Sequence, residues 1–240
     1  MLRQACDGGE LRGCTALGSM YLRGDLEGGD AATGIALLQR ACDGDEMRAC
    51  SNLAAVYHLG TVVGRDLARS AKLNERACGG GDRYGCTNLG LARIEGDGVP
   101  LDVLGGARTL QKGCEGGEMV ACVALVQAAA RFHDGDAQTP KNVGQAAIFL
   151  DAACRSGEPH GCSGLGVLYG AGDGVAQDLE RAATLYQKAC DAGEPTGCAF
   201  LASCYAEGRG VTADPARATA LNQRSCWAGN AAACKQALVP

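Results

Sequence analysis

Apolar and small residues recur along this chain at helical spacing and at a fixed distance from one another. Cys14, Leu17, Gly18 and Tyr21 fall at i, i+3, i+4 and i+7, which places them on one face of a helix. The same stripe returns as Cys50-Leu53-Ala54-Tyr57, Cys162-Leu165-Gly166-Tyr169 and Cys198-Leu201-Ala202-Tyr205. Each of these helices is expected to start near an acidic residue after a Gly-rich break: Glu10, Glu46, Asp82, Glu118, Glu158 and Glu194. A second kind of helix alternates with the first. It is predicted to start at Asp30, Asp66, Asp102, Asn142, Asp178 and Asp214, all good N-cap types, and to end twelve residues later at a cysteine. Its fourth position is always small (Gly34, Ser70, Gly106, Ala146, Ala182, Ala218), which lets two helix backbones approach closely.

The cysteines make the period explicit. They form C-x7-C pairs at Cys6/Cys14, Cys42/Cys50, Cys78/Cys86, Cys114/Cys122, Cys154/Cys162, Cys190/Cys198 and Cys226/Cys234, with Cys204 left over. Successive pairs lie 36 residues apart except for one 40-residue step after Cys114. A fixed period of this length indicates a repeat architecture. The expected fold is therefore all-α: an αα-hairpin solenoid over residues 1–240, with six full helix pairs at about 10–229 and half-repeats at both ends. The fourth unit departs from the pattern, with Val126, Ala129 and Phe132 where others have Gly, Tyr and Gly. Four extra residues lie within His133–Lys141, so a longer, bulging loop is expected there.

Cysteines eight apart across a helix–turn–helix are compatible with disulfide geometry, giving one bridge per repeat. Closing so short a loop restricts the unfolded chain by roughly 2–3 kcal/mol per bridge. A structural zinc needs four ligands, and neighbouring pairs should lie on the order of 15–20 Å apart, so metal is disfavoured. Reduced thiols are the remaining alternative. Cys204 stands where other repeats carry Met20, Val56, Ala92, Ala128 and Leu168, which suits a buried, inert thiol.

The Asp-capped helix ending in Ala-Cys, the Gly-rich turn and the Cys-x-x-Leu-Gly-x-x-Tyr stripe together resemble the Sel1-like repeat family, which is TPR-like. Gln39-Arg40-Ala41-Cys42-Asp43-Gly44-Asp45-Glu46 and Gln187-Lys188-Ala189-Cys190-Asp191-Ala192-Gly193-Glu194 carry the likeness most clearly. Specifically, the chain looks like the disulfide-rich branch typified by the Helicobacter cysteine-rich proteins. This resemblance implies an αα superhelix, an oxidising compartment (secreted or periplasmic) and a role in binding other proteins. Some members of the family are described as penicillin-binding or weak β-lactamases, so a hydrolase is the alternative reading. Because the chain opens on the end of a helix, a leader and earlier repeats are expected upstream.

Composition bears on partners and chemistry. The formal net charge is −5, with no run of Lys or Arg, which argues against nucleic acid and anionic membranes as the main partner. No apolar stretch approaches the ~20 residues needed to span a bilayer. The serine β-lactamase set is absent, with no Ser-x-x-Lys, Ser-Asp-Asn or Lys-Thr-Gly. Gly161-Cys162-Ser163-Gly164 lacks the second glycine of a nucleophile elbow at the required place. His58, His133 and His160 occupy unrelated repeat positions. Neither a cofactor nor a metal site is expected, and the chain is not expected to be an enzyme.

Recognition is expected on the concave face formed by the first helix of each pair, opposite the packed stripe. There the residues vary: Arg12, Arg48, Tyr84, Val120, His160 and Thr196 at one position, and Ala16, Asn52, Asn88, Ala124, Gly164 and Phe200 at another. Asn52 and Asn88 each offer a peptide backbone a donor and an acceptor. Arg12, Arg23 and Arg48 are suited to a carboxylate or to acidic side chains. Tyr84 and His160 complete the candidate set. Trp227 is either an exposed anchor or a cover for the end of the stack.

Overall fold

The computed structural model describes residues 1–26 and 30–237, and every described element is an α-helix. The helices group into two compact units, one ending at Glu118 and the other starting at Met119. The first holds α1 (Leu2–Asp7), α2 (Leu11–Arg23), α3 (Ala31–Asp43), α4 (Met47–Leu59), α5 (Leu67–Gly79), α6 (Arg83–Glu95) and α7 (Val103–Glu115). The second holds α8 (Met119–Asp134), α9 (Val143–Arg155), α10 (Pro159–Ala171), α11 (Leu179–Asp191), α12 (Pro195–Glu207), α13 (Pro215–Trp227) and α14 (Ala231–Ala237). Even-numbered helices from α2 to α12 are the first helices of the pairs; odd-numbered ones from α3 to α13 are the second.

Chain chemistry sets these boundaries. Each second helix starts at its anticipated cap: the side chains of Asp30, Asp66, Asp102, Asn142, Asp178 and Asp214 accept the backbone N–H three residues on. Such a cap contributes about 1 kcal/mol. First helices start after Glu10, Glu46, Asp82, Glu158 and Glu194, and Pro159 and Pro195 occupy their first turn. The small residues do the packing work expected of them. A Cβ on Gly18 would lie 2.8 Å from the Gly34 carbonyl oxygen, and one on Gly34 would lie 2.9 Å from that of Gly18. Helices α2 and α3 can cross this closely only because both positions lack side chains.

Within the first unit the core runs through Cys6, Cys14, Leu38, Ala41, Cys42, Ala49, Cys50, Leu53, Tyr57 and Ala77. In the second, Ala182, Ala183, Tyr186, Cys190, Cys198, Leu201 and Ala202 form the larger cluster. Basic side chains tie consecutive repeats together by reaching back to the carbonyls that end the preceding second helix. Lys188 Nζ donates to the Cys154 carbonyl at 2.9 Å, and Arg224 Nη2 to the Cys190 carbonyl at 2.8 Å.

Disulfides join Cys6–Cys14, Cys42–Cys50, Cys78–Cys86, Cys154–Cys162, Cys190–Cys198 and Cys226–Cys234, and Cys114 and Cys122 are disulfide-bonded as well. Seven bridges, one per repeat, point to an oxidising compartment. Cys204 is free and buried, and burial pushes its thiol above the usual range. The fold is thus the αα-hairpin solenoid class that the sequence predicts.

The loop after α8, residues 135–142, is longer than its counterparts by a single residue, so the expected bulge is corrected while the expected lengthening holds only in part. Helix α8 runs for 16 residues where the other full first helices run for 13, so much of the insertion lengthens a helix. No glycine stops α8 at Phe132. That ring instead turns inward and packs against Phe149 at a centroid distance of 5.6 Å. The residues that follow fold back tightly: Asp136 Oδ1 accepts the N–H groups of Gln138 and Thr139, and Thr139 is buried.

Candidate functional site

The first-helix positions of the first unit carry charge and amides. Arg12 Nε lies 3.8 Å from Glu46, and Arg48 Nη1 lies 3.5 Å from Asp82, so each arginine reaches the cap of the next first helix. The Arg48 guanidinium also sits over the Tyr84 ring, 3.6 Å from its centroid. Arg83 donates to the Tyr84 hydroxyl at 3.3 Å. Hydrogen bonding to Arg83, then to Arg48, holds this phenol below the ordinary tyrosine range. Asn52 Nδ2 donates to Ser19 Oγ at 3.0 Å, which leaves the Asn52 carbonyl oxygen without a side-chain partner among the described residues. Asn88 is exposed and makes no side-chain hydrogen bond among the described residues.

The structure gathers Arg48 and Tyr84 into one cluster around Asp82, with Asn52 and Asn88 on the same helices, α4 and α6. It does not gather the rest. Arg12 and Arg23 stand at opposite ends of α2, and Arg23 pairs with Asp25 at 2.7 Å. His160 lies in the second unit, its Nδ1 2.7 Å from Oε1 of Glu158. The neighbouring Ser163 hydroxyl donates to the His160 backbone carbonyl and not to its ring, so Glu158, His160 and Ser163 form no proton relay. Trp227 is 83% exposed at the end of α13. Among the described residues no group of three His, Cys, Asp or Glu is placed to hold a metal ion, and no helix is long and apolar enough to cross a membrane.

Sequence reasoning missed a niche next to this face. In the first unit α4, α5 and α6 enclose a cavity of about 270 Å³, lined by Leu59 and His58, by Ser70 and Asn74, and by Asn88, Glu95 and Asp97 among others. Asn74 is only 4% exposed, and its Oδ1 has no hydrogen-bond partner. The signal was present in the alignment of repeats. Asn74 occupies the place of Leu38, Leu110, Leu150 and Tyr186, a core position on the second helix that α13 also fills with an asparagine, Asn222, whose Oδ1 likewise has no partner among the described residues. In the second unit α10, α11 and α12 enclose a cavity of about 310 Å³ from matching repeat positions. Its lining includes Val167, Leu179, Tyr186, Phe200, Cys204 and Arg209, with Gly170, Ala171 and Ala182 between them.

Comparison with known proteins decides the family. The Sel1 repeat pattern matches residues 11–46, 48–82, 123–158, 159–194 and 195–229, most of the chain. The chain belongs to the Sel1 repeat family. Residues 83–122 fall outside those matches, although α6 and α7 there repeat the same helix pair. No curated protein matches the chain. Among solved structures it is similar to a protective antigen of uropathogenic Escherichia coli strains displaying an SLR fold. That pair has 25% identity and a TM-score of 0.76, covering 98% of this chain and 50% of the antigen. It is also similar to a Sel1 repeat protein from Oxalobacter formigenes, with 28% identity and a TM-score of 0.76, covering 97% of this chain and 66% of that one. The chain thus spans half to about two thirds of these relatives. Helicobacter pylori cysteine-rich protein B shares 29% identity over 57% of this chain and 95% of its own, with a TM-score of 0.45. Sel1 repeats generally mediate protein–protein interactions.

Proposed function

We propose that this chain is a scaffold that binds a protein or an extended peptide across the first-helix face, in a secreted or periplasmic setting. The observation that carries this reading is the division of labour on the first helices. The cysteine–leucine stripe is buried in both units, while the opposite positions range from Arg, Tyr and His to Val, Ala and Phe and include an exposed, unengaged amide at Asn88. Packing constrains the first set; the second is free to meet a partner. Asn52 and Asn88 hydrogen-bond the partner's backbone, and the Arg48–Tyr84 cluster gives a flat, cationic platform beside them. The bridges in every repeat suit an oxidising exterior and hold the helix pairs rigid, which lowers the ordering cost of binding.

Selection from a random peptide library, followed by calorimetry, tests this. A double variant, Asn52→Ala with Asn88→Ala, should bind the selected peptide at least about tenfold more weakly, the loss expected for two hydrogen bonds, at an unchanged melting temperature. Unchanged affinity rejects this face, and a library that yields no binder rejects the scaffold reading.

A further inference from the structure

The cavity between α10, α11 and α12 is made by several departures from the repeat that meet at one place. Tyr186 stands where the other second helices carry Leu or Asn, and Phe200 where the other first helices carry Ala, Asn or Gly. At the end of α10, Gly170 and Ala171 are both small, whereas every other first helix has at least one larger residue there, as in Leu22-Arg23 and His58-Leu59. The residue after the helix-ending glycine is Asp25, Asp97 and Asp173 in the repeats of α2, α6 and α10, but it is Arg209 after α12, and Arg209 lines the cavity. The polar side chains on this space are donors. Tyr186 is only 7% exposed and its hydroxyl makes no hydrogen bond among the described residues, yet that oxygen keeps accessible surface, unlike the sealed Oδ1 atoms of Asn74 and Asn222. A Cβ on Gly170, in the cavity wall, would lie 3.5 Å from it. Burial raises both the Tyr186 phenol and the Cys204 thiol, and the charge of Arg209 opposes this at each, so the guanidinium is within electrostatic reach of both. Arg209 pairs with Glu207 at 3.1 Å, but both side chains are more than half exposed, a weak tie that leaves guanidinium donors free. Among the described residues no Asp or Glu lines the cavity, and its volume of about 310 Å³ is at the lower end for small-molecule sites.

We infer that this cavity binds a small apolar acid, aromatic or branched aliphatic, as its carboxylate. The apolar body lies against Tyr186, Phe200 and Val167, and the carboxylate accepts from the Tyr186 hydroxyl and the Arg209 guanidinium. Such a site goes beyond the scaffold reading and does not depend on it. An alcohol would satisfy Tyr186 but leave Arg209 unused. An amine would meet like charge at the mouth.

The probe is 3-phenylpropionate. In NMR of the full chain with labelled tyrosine and arginine, it should shift the Tyr186 ring and Arg209 Nε–H signals saturably. The expected Kd is on the order of millimolar for so small a ligand. 3-Phenyl-1-propanol, uncharged and of similar shape, should bind at least about fivefold more weakly, and 3-phenylpropylammonium should not bind. Gly170→Leu installs the residue that α2 carries at this place, so it should fold, and by filling the mouth it should abolish both shifts. Arg209→Asp, read at Tyr186, installs the residue of the α6 and α10 repeats and should remove the preference for the acid over the alcohol. Tyr186→Phe, read at Arg209, should weaken the acid by about tenfold, as expected for one hydrogen bond to a charged group. Equal binding of acid and alcohol, binding that survives Gly170→Leu, or no saturable shift at Tyr186 overturns the inference. Acetylglycylphenylalanine carries the same phenylpropionate body on a peptide. If it binds no tighter than the free acid, the small molecule stands as occupant; if it binds more than about tenfold tighter, the cavity belongs to the carboxyl end of a polypeptide and the inference falls.

Discussion

Two niches at matching repeat positions carry opposite chemistry. In the first unit the second helix contributes Ser70 and Asn74, and the following first helix contributes Asn88. In the second unit the same places hold Ala182, Tyr186 and Phe200, with the two rings at a centroid distance of 5.0 Å. The backbone plan is shared, so the difference lies in side chains alone. The neighbouring first-helix surfaces follow suit. Arg48, Tyr84 and Arg83 cluster in the first unit, whereas Val120, Val123, Val167 and Phe200 are exposed in the second. A repeat protein can hold its packing stripe fixed and still vary its recognition chemistry from one pair to the next.

The largest effect that should separate the two niches is the loss of the aromatic core residue. Tyr186 is buried and packs over Gly166. Tyr186→Ala should cost about 3–4 kcal/mol in urea unfolding, as for other buried aromatics cut back to alanine. Tyr84→Ala, at a half-buried surface position, should cost less than about 1 kcal/mol. Similar costs at both sites would mean that the apparent contrast between the units is not energetic.

Much of this contrast was legible in the sequence, but unevenly. Caps at Asp30, Asp66 and their equivalents, first-helix starts at the acidic residues and the pairing of cysteines eight apart all follow from local rules, because capping and loop closure involve residues close in sequence. The close approach of Gly18 and Gly34 was legible too, since small residues at helical spacing have few other uses. The path of the insertion was not: where α8 ends depends on Phe132 finding Phe149, a contact across two helices. The niche was not legible either, because it is built from three helices and shows only once Asn74 is set against Leu38 and Tyr186.

A second way to sharpen the comparison is through what the units share. Replacing Cys42 and Cys50 together by alanine should cost about 2–3 kcal/mol, and replacing Cys190 and Cys198 should cost the same. Both loops close over the same separation of 8 residues. A marked inequality would show that the bridges are not equivalent staples.

The smallest effect is spectroscopic. Of the six tyrosines, Tyr84 should ionise below the usual 10.0, held there by its hydrogen bonds to Arg83 and then Arg48. Tyr186 should ionise at about 12, pushed up mainly by burial. Because the folded state raises the Tyr186 value, that residue's contribution to stability is complete below pH 10 and is lost as the pH rises towards 12. Carbon NMR of ring-labelled tyrosine follows both, and Arg83→Ala should return Tyr84 towards its ordinary value.

The most direct test of the first-helix face is photocrosslinking to a library-selected peptide. p-Benzoylphenylalanine is placed either at residue 48, exposed on the first helix α4, or at residue 72, exposed on the second helix α5. A crosslink from residue 48 and none from residue 72 is the predicted result. A crosslink from residue 72 alone would contradict it and move recognition to the second helices.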